Sequence, residues 1–247
     1  MPLRRGRFWE RPSAVTRGSV GILKIRGEYH LSIHQQQTYW SYEDIGLFFC
    51  ATLFLGLLLH SAVRVRLLSP SALNQPTLTL QVIVLLFLMA CLYTILKLRY
   101  RRHVWQALGW RRPHAKHALI AVTGGVFMAS PVVLFLHWAR WSMPEIGVWD
   151  LLLLGGLLGP ALEESFFRGC LLPVLARSAG VPLAVIASAL LFTALHKPPT
   201  PAQWIFFTMT GAAYGWMRAV SGSTTAAALM HAAYDVTLFL SQLFVPS

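Results

Sequence analysis

The sequence predicts an all-α, polytopic membrane protein of about seven transmembrane helices, and three observations carry that prediction. Of 247 residues, 55% are hydrophobic and only 12% are charged, against about 25% charged in an ordinary soluble domain. Long apolar runs follow one another along the chain, and the basic residues gather in the connections on one side of them. With about 20 residues needed per span, such a bundle uses most of the chain and excludes a second folded domain of ordinary size. A disordered or fibrous chain is also excluded, because the 18 Gly and 14 Pro are near average and follow no period.

Residues 1–43 are expected to form a basic cytoplasmic tail carrying Arg4, Arg5, Arg7, Arg11, Arg17, Lys24 and Arg26. They hold no apolar run of signal-peptide type, so no cleaved secretion signal is expected. Residues 44–247 form the transmembrane domain, with apolar runs at about 45–63, 77–96, 118–138, 148–175, 181–197, 203–219 and 224–244. Pro70 and Pro76 separate the first two runs, and Pro198, Pro199 and Pro201 stop the fifth, because proline cannot continue a helical hydrogen-bond ladder. Thr200-Pro-Ala-Gln203 predicts a fresh helix start, with Thr at the N-cap and Pro at the first helical position. Gly155, Gly156 and Gly159, and Gly211 and Gly215 at GxxxG spacing, predict closely packed helices. The connector 97–117, with Trp105, Leu108 and Trp110 among its charges, reads either as an amphipathic segment in the inner interface or as a solvated link.

Placing the N-terminus inside puts 17 of the 21 basic residues on the inner side and leaves Arg64, Arg66, Arg140 and Lys197 outside. The expected location is therefore the cell membrane with a cytoplasmic N-terminus. The net charge of +12 is assigned to topology and the lipid bilayer, and no nucleic-acid partner is expected. Cys50, Cys91 and Cys170 show no CxxC spacing, and neither a disulfide framework nor a zinc knuckle follows from them.

Three acidic residues, Glu163, Glu164 and Asp235, and two histidines, His196 and His231, fall deep within expected spans. Burying such groups in hydrocarbon costs at least about 2.5–3.5 kcal/mol each, so they normally face a polar cavity and partner one another. At ~1.5 Å rise per residue, Glu163, His196 and Asp235 lie about 20–22 Å from the inner boundary and His231 about 14 Å, close to one plane. Glu164 and Arg168 are four residues apart on one helical face, so the guanidinium can pair with that carboxylate and snorkel toward the inner interface. Glu163 points about 100° away. Its free carboxylate suits a general base that later serves as an acid.

These residues spell EExxxR at Glu163, Glu164 and Arg168, FxxxH at Phe192 and His196, and HxxxD at His231 and Asp235, each on an apolar segment. Together they resemble the CPBP family, the CAAX prenyl protease and bacteriocin-processing intramembrane endopeptidases, also called the Abi family. The resemblance covers residues 148–244, the motif-bearing core, and extends to Gly211, Gly215, Arg218, Gly222 and Ser223. It implies a CAAX-protease-like helical bundle in which Glu163 with His196 activates a water against the scissile carbonyl. His231 and residue 235 would stabilise the oxyanion, and Glu164 and Arg168 would support them. Many members carry Asn at the last position. Asp235, when ionised, would repel an oxyanion, so it either carries a proton or orients His231.

The resemblance implies a membrane-associated protein or peptide substrate, cut near its C-terminus or leader, and no cofactor. Prenylated CAAX-like tails, bacteriocin leaders and C-terminal sorting helices all fit. A zinc protease is the nearest chemical rival, but HExxH is absent. A serine protease would need Ser221 or Ser223, which lack an evident activating partner. Outside hydrolysis, the same buried groups would suit a proton-coupled transporter or a non-catalytic peptide-binding or immunity protein.

Overall fold

The structure is a computed structural model and describes residues 40–69, 78–100, 103–138 and 151–241. The basic tail up to residue 39, Pro70, Pro76, Arg101, Arg102, Arg140 and the start of the fourth apolar run lie outside the described residues. Every apolar run is helical where it is described, and no strand occurs among the described residues. The order is α1 (Tyr42–Arg64), α2 (Leu78–Tyr100), a short α3 (Val104–Ala107) and α4 (Ala115–Trp138). The fourth run follows as a π-helical stretch (Leu151–Leu158), α5 (Gly159–Phe166), a π-helical turn (Phe167–Leu171) and α6 (Leu172–Ala179). Then come α7 (Val181–His196), α8 (Pro201–Ser221) and α9 (Thr224–Ser241).

Among the described residues, three helical stretches are long and apolar enough to cross a membrane: α1, Val82–Arg99 within α2, and α4; α7 is a shorter apolar helix. The chain is a helical membrane protein on this ground. Its fourth run is interrupted because Pro160 and Pro173 cannot donate to the carbonyls four residues behind them, and a π-helical stretch runs up to each proline. The helix starts follow local chemistry. Ser41 and Asp44 form a reciprocal cap on α1, with Asp44 N donating to Ser41 Oγ (3.3 Å) and Ser41 N to Asp44 Oδ2 (2.8 Å). Thr200 caps α8 through Gln203 N (3.3 Å) with Pro201 at its first turn, as its sequence predicts.

Polar contacts gather several helix ends at one end of the bundle. Arg99 at the end of α2 reaches Glu43 (2.7 Å) and Asp44 (3.0 Å) at the start of α1. Arg177 donates to the Trp40 carbonyl, and the hydroxyls of Tyr42 and Ser178 are hydrogen-bonded. The described part of the connector 97–117 is docked here through Leu108, Gly109 and Trp110, so it is not a solvated link. Leu108 is fully buried, its carbonyl accepts from Thr224 Oγ1 (2.6 Å), and Gly109 O accepts from Thr224 N (2.9 Å). Trp110 Nε1 donates to Ser165 Oγ (2.9 Å), beside Glu164. Apolar residues that could have faced lipid face a protein groove instead, and only Trp105 stays largely exposed among the three that suggested otherwise.

Small residues set the helix spacing. Gly211 packs on Phe192 and Ala189, and Gly215 on Val185, so the GxxxG stripe seats α8 on α7. Gly125 of α4 lies against α9 so closely that an added Cβ would stand 2.3 Å from the Met230 carbonyl oxygen. Gly125→Ala is therefore expected to cost about 1–3 kcal/mol through overpacking. Gly46→Ala, whose Cβ would meet nothing within 4 Å, should be neutral or stabilising by up to about 1 kcal/mol. Thermal melting of the two variants in detergent checks the contrast.

Candidate active site

Adjacent residues of an α-helix diverge by about 100°, and α5 uses this to send two neighbouring carboxylates to different surroundings. Glu164 is fully buried, whereas the Glu163 side chain keeps 31% of its surface exposed. Arg168, on the following π-helical turn, donates from Nη1 to Glu164 Oε1 (2.8 Å) and from Nη2 to the Gly211 carbonyl of α8 (2.6 Å). Its guanidinium carbon lies 5.0 Å from the Phe192 ring centroid, 5.4 Å from Tyr214 and 5.6 Å from Phe167. The expectation that Arg168 would snorkel is thus corrected: its side chain is wholly buried. A carboxylate, a carbonyl left open by Gly211 and three ring faces replace the water it would have sought.

His231 on α9 donates from Nδ1 to the same Glu164 Oε1 (2.9 Å). Its Nε2 faces Asp235 Oδ2 at 3.3 Å, one turn along α9, and Glu163 Oε2 at 3.9 Å. His196, the last residue of α7, directs Nδ1 to the Phe192 carbonyl (2.8 Å), an acceptor only, so Nδ1 carries the proton. Its Nε2 is left facing Glu163 Oε2 at 3.7 Å. All six residues singled out in the sequence therefore converge, from α5, the π-helical turn, α7 and α9.

Glu163 and His196 stand where two cavities meet. The larger, of about 590 Å³, is apolar and lies among α1, α2, α5 and α7, with Phe48, Leu53, Leu88, Phe166 and Leu195 in its walls. The smaller, of about 300 Å³, also holds His231, Asp235, Tyr214 and Tyr234. Among the described residues, no group of three or more His, Cys, Asp or Glu has the geometry of a metal site.

Sequence reasoning missed Tyr214, whose ring stacks on His231 with centroids 4.5 Å apart and planes at 18°, and Phe207, 5.1 Å from the His196 ring. Tyr214 lies between Gly211 and Gly215, and an aromatic residue inside a small-residue stripe was the available signal. The three motifs and the helices that unite them fall within one stretch of chain. Residues 145–237 match the Rce1-like family model. That model is described as type II CAAX prenyl endopeptidase Rce1-like, and the match spans all six site residues. No curated protein and no solved structure matches the chain. The Rce1-like match agrees with the CPBP resemblance drawn from the motifs: the motif-bearing segment is similar to CAAX prenyl proteases, within a chain of apolar helices.

The buried pair at the centre of this Rce1-like segment makes a quantitative prediction. Arg168→Met leaves the buried Glu164 carboxylate without its cation, with His231 as its remaining donor, and should destabilise the fold by about 3–5 kcal/mol. Glu164→Gln combined with Arg168→Met removes both charges and should recover part of that loss in the same detergent melting measurement.

Proposed function

We propose that this protein is a glutamic-type intramembrane endopeptidase whose base is Glu163. The observation that carries this reading is the position of one carboxylate oxygen, 3.7 Å from His196 Nε2 and 3.9 Å from His231 Nε2, on the border of a cavity. Those separations exceed a direct hydrogen bond and suit a water shared by the three groups. Glu163 takes a proton from that water as its oxygen attacks the scissile carbonyl carbon. The carbonyl electrons move onto oxygen, and the resulting oxyanion forms on the side of the cavity that His231 and Asp235 line. Glu163 then returns its proton to the amide nitrogen as the C–N bond breaks, leaving a carboxylic acid and an amine, between which the remaining proton re-equilibrates. Glu164 and Arg168 hold His231 in place. The scheme calls on no metal or cofactor.

In this reading the seven helical runs make up the membrane bundle, with the polar break after α7 completing that crossing, the end that gathers Arg99, Arg177 and the docked connector faces the cytoplasm, and the membrane is the cell membrane. The excess of basic residues on that side supports it. The large apolar cavity beside Glu163 supports a membrane-associated protein or peptide substrate, bound as an extended segment because a helical scissile bond has its backbone groups already engaged.

Glu163→Gln is nearly isosteric and cannot accept the proton. Mass spectrometry of membrane-protein termini should show a new terminus in cells with the wild-type chain and none with Glu163→Gln, at equal melting temperature. Equal cleavage by both would remove Glu163 from the reaction, and ion flux without cleavage would favour a transporter.

A further inference from the structure

An amide oxyanion needs hydrogen-bond donors aimed at it, and the side chains around the smaller cavity supply few. Glu163 and Asp235 are acceptors when ionised. His196 spends its Nδ1 proton on the Phe192 carbonyl, so the nitrogen it turns toward Glu163 is an acceptor in the neutral ring. His231 spends its Nδ1 proton on Glu164, and a proton on its Nε2 would have Asp235 as the nearest acceptor at 3.3 Å. The Thr210 hydroxyl donates to Phe207 O (3.1 Å). Two hydroxyls in the cavity wall, those of Tyr214 and Tyr234, make no hydrogen bond among the described residues.

We propose that the Tyr214 hydroxyl donates to the tetrahedral oxyanion, supplying the uncharged donor that the carboxylate of Asp235 cannot. This assignment rests on the peptidase reading above. Tyr214 is the better placed of the two tyrosines because its ring is immobilised. It is 1% exposed, stacks on His231, meets Phe192 edge-on at 6.4 Å and lies under the Arg168 guanidinium. A donor fixed before the reaction loses no orientation as charge develops, which is the condition under which such a donor contributes most. Tyr234 is only partly buried, with its ring 6.0 Å from Phe206. No bond to Tyr214 forms or breaks: the phenol keeps its proton and shares it with the oxyanion until the C–N bond opens.

The test uses the full chain in detergent and an internally quenched peptide bearing the cleavage sequence found by terminus mapping. Tyr214→Phe keeps the ring, the stack on His231 and the contact with Arg168, and removes only the hydroxyl. The expected result is a fall in kcat of about 10²-fold with little change in KM, at unchanged melting temperature. Adding Asp235→Asn to Tyr214→Phe places an amide donor in the same cavity and should restore at least about tenfold of the loss. Where Tyr214→Phe also melts lower, this rescue decides: recovery supports the donor role, and no recovery overturns it. Full activity in Tyr214→Phe, or a loss confined to Tyr234→Phe, overturns it as well. Failure of the peptidase reading looks different, since the wild-type chain would then cleave no better than Glu163→Gln.

Discussion

Oε1 of Glu164 accepts at once from Arg168 Nη1 and His231 Nδ1, at 2.8 and 2.9 Å, in a region sealed from water. A buried charge with no partner costs several kcal/mol, about as much for a guanidinium as for a carboxylate. Each is tolerable because the other is there, and because Gly211 and three aromatic rings complete the surroundings of Arg168. The consequence reaches past stability. Since one oxygen serves both donors, the orientation of His231 depends on where Arg168 lies, and Arg168 is tied to the backbone of α8. The α5, α8 and α9 segments therefore cannot shift relative to one another without moving the imidazole that faces Glu163 and Asp235.

The same dependence explains the packing around the site. For Nη2 of Arg168 to reach the Gly211 carbonyl, α8 must approach closely, and Gly211 and Gly215 permit that approach against Phe192, Ala189 and Val185. Arg218 Nε donates to the Arg168 carbonyl (3.2 Å), tying the π-helical turn to α8 a second time. Gly169, next to Arg168, faces the Leu108 carbonyl, where an added Cβ would stand at 2.7 Å. The docked connector thus presses on the turn that carries the arginine. In a membrane, where apolar contact between helices gains little over contact with lipid, such close backbone approach and buried polar bonding hold the bundle together.

The apolar runs, their proline boundaries and the Thr200 cap were legible in the sequence because each follows from a local rule: hydropathy, the missing proline N–H, or a side-chain oxygen at a helix start. The meeting of Glu163, His196 and His231 was legible for a different reason. Ionisable groups on several apolar segments at similar depth have few places to go other than toward each other. What was not legible required knowledge of neighbours. That Arg168 turns inward depends on a carbonyl 43 residues away. That Leu108 and Trp110 enter protein and not lipid depends on Thr224 and Ser165. The π-helical interruptions near Pro160 and Pro173 change which side chains share a face, and no period of 3.6 read from the sequence can anticipate them.

Helix α7 shows why the polar break sits where it does. Its 16 residues span about 24 Å at the α-helical rise, short of the ~30 Å hydrocarbon thickness. Lys197 adopts a left-handed conformation with φ 48° and Pro198 and Pro199 follow, so the helix cannot be extended to make up the difference. Its last carbonyls must then find donors inside the protein. Lys197 N meets Ala194 O (3.3 Å) at the helix end, and past that end Trp204 Nε1 meets Pro198 O at 2.9 Å. Irregular backbone at such depth is tolerated only against protein or a wet cavity, and His196 lines both cavities. On the proposed topology, the shortfall that keeps α7 from being a long span also ends it beside Glu163. There the hydrogen bond from His196 Nδ1 to the Phe192 carbonyl fixes which ring nitrogen faces that carboxylate.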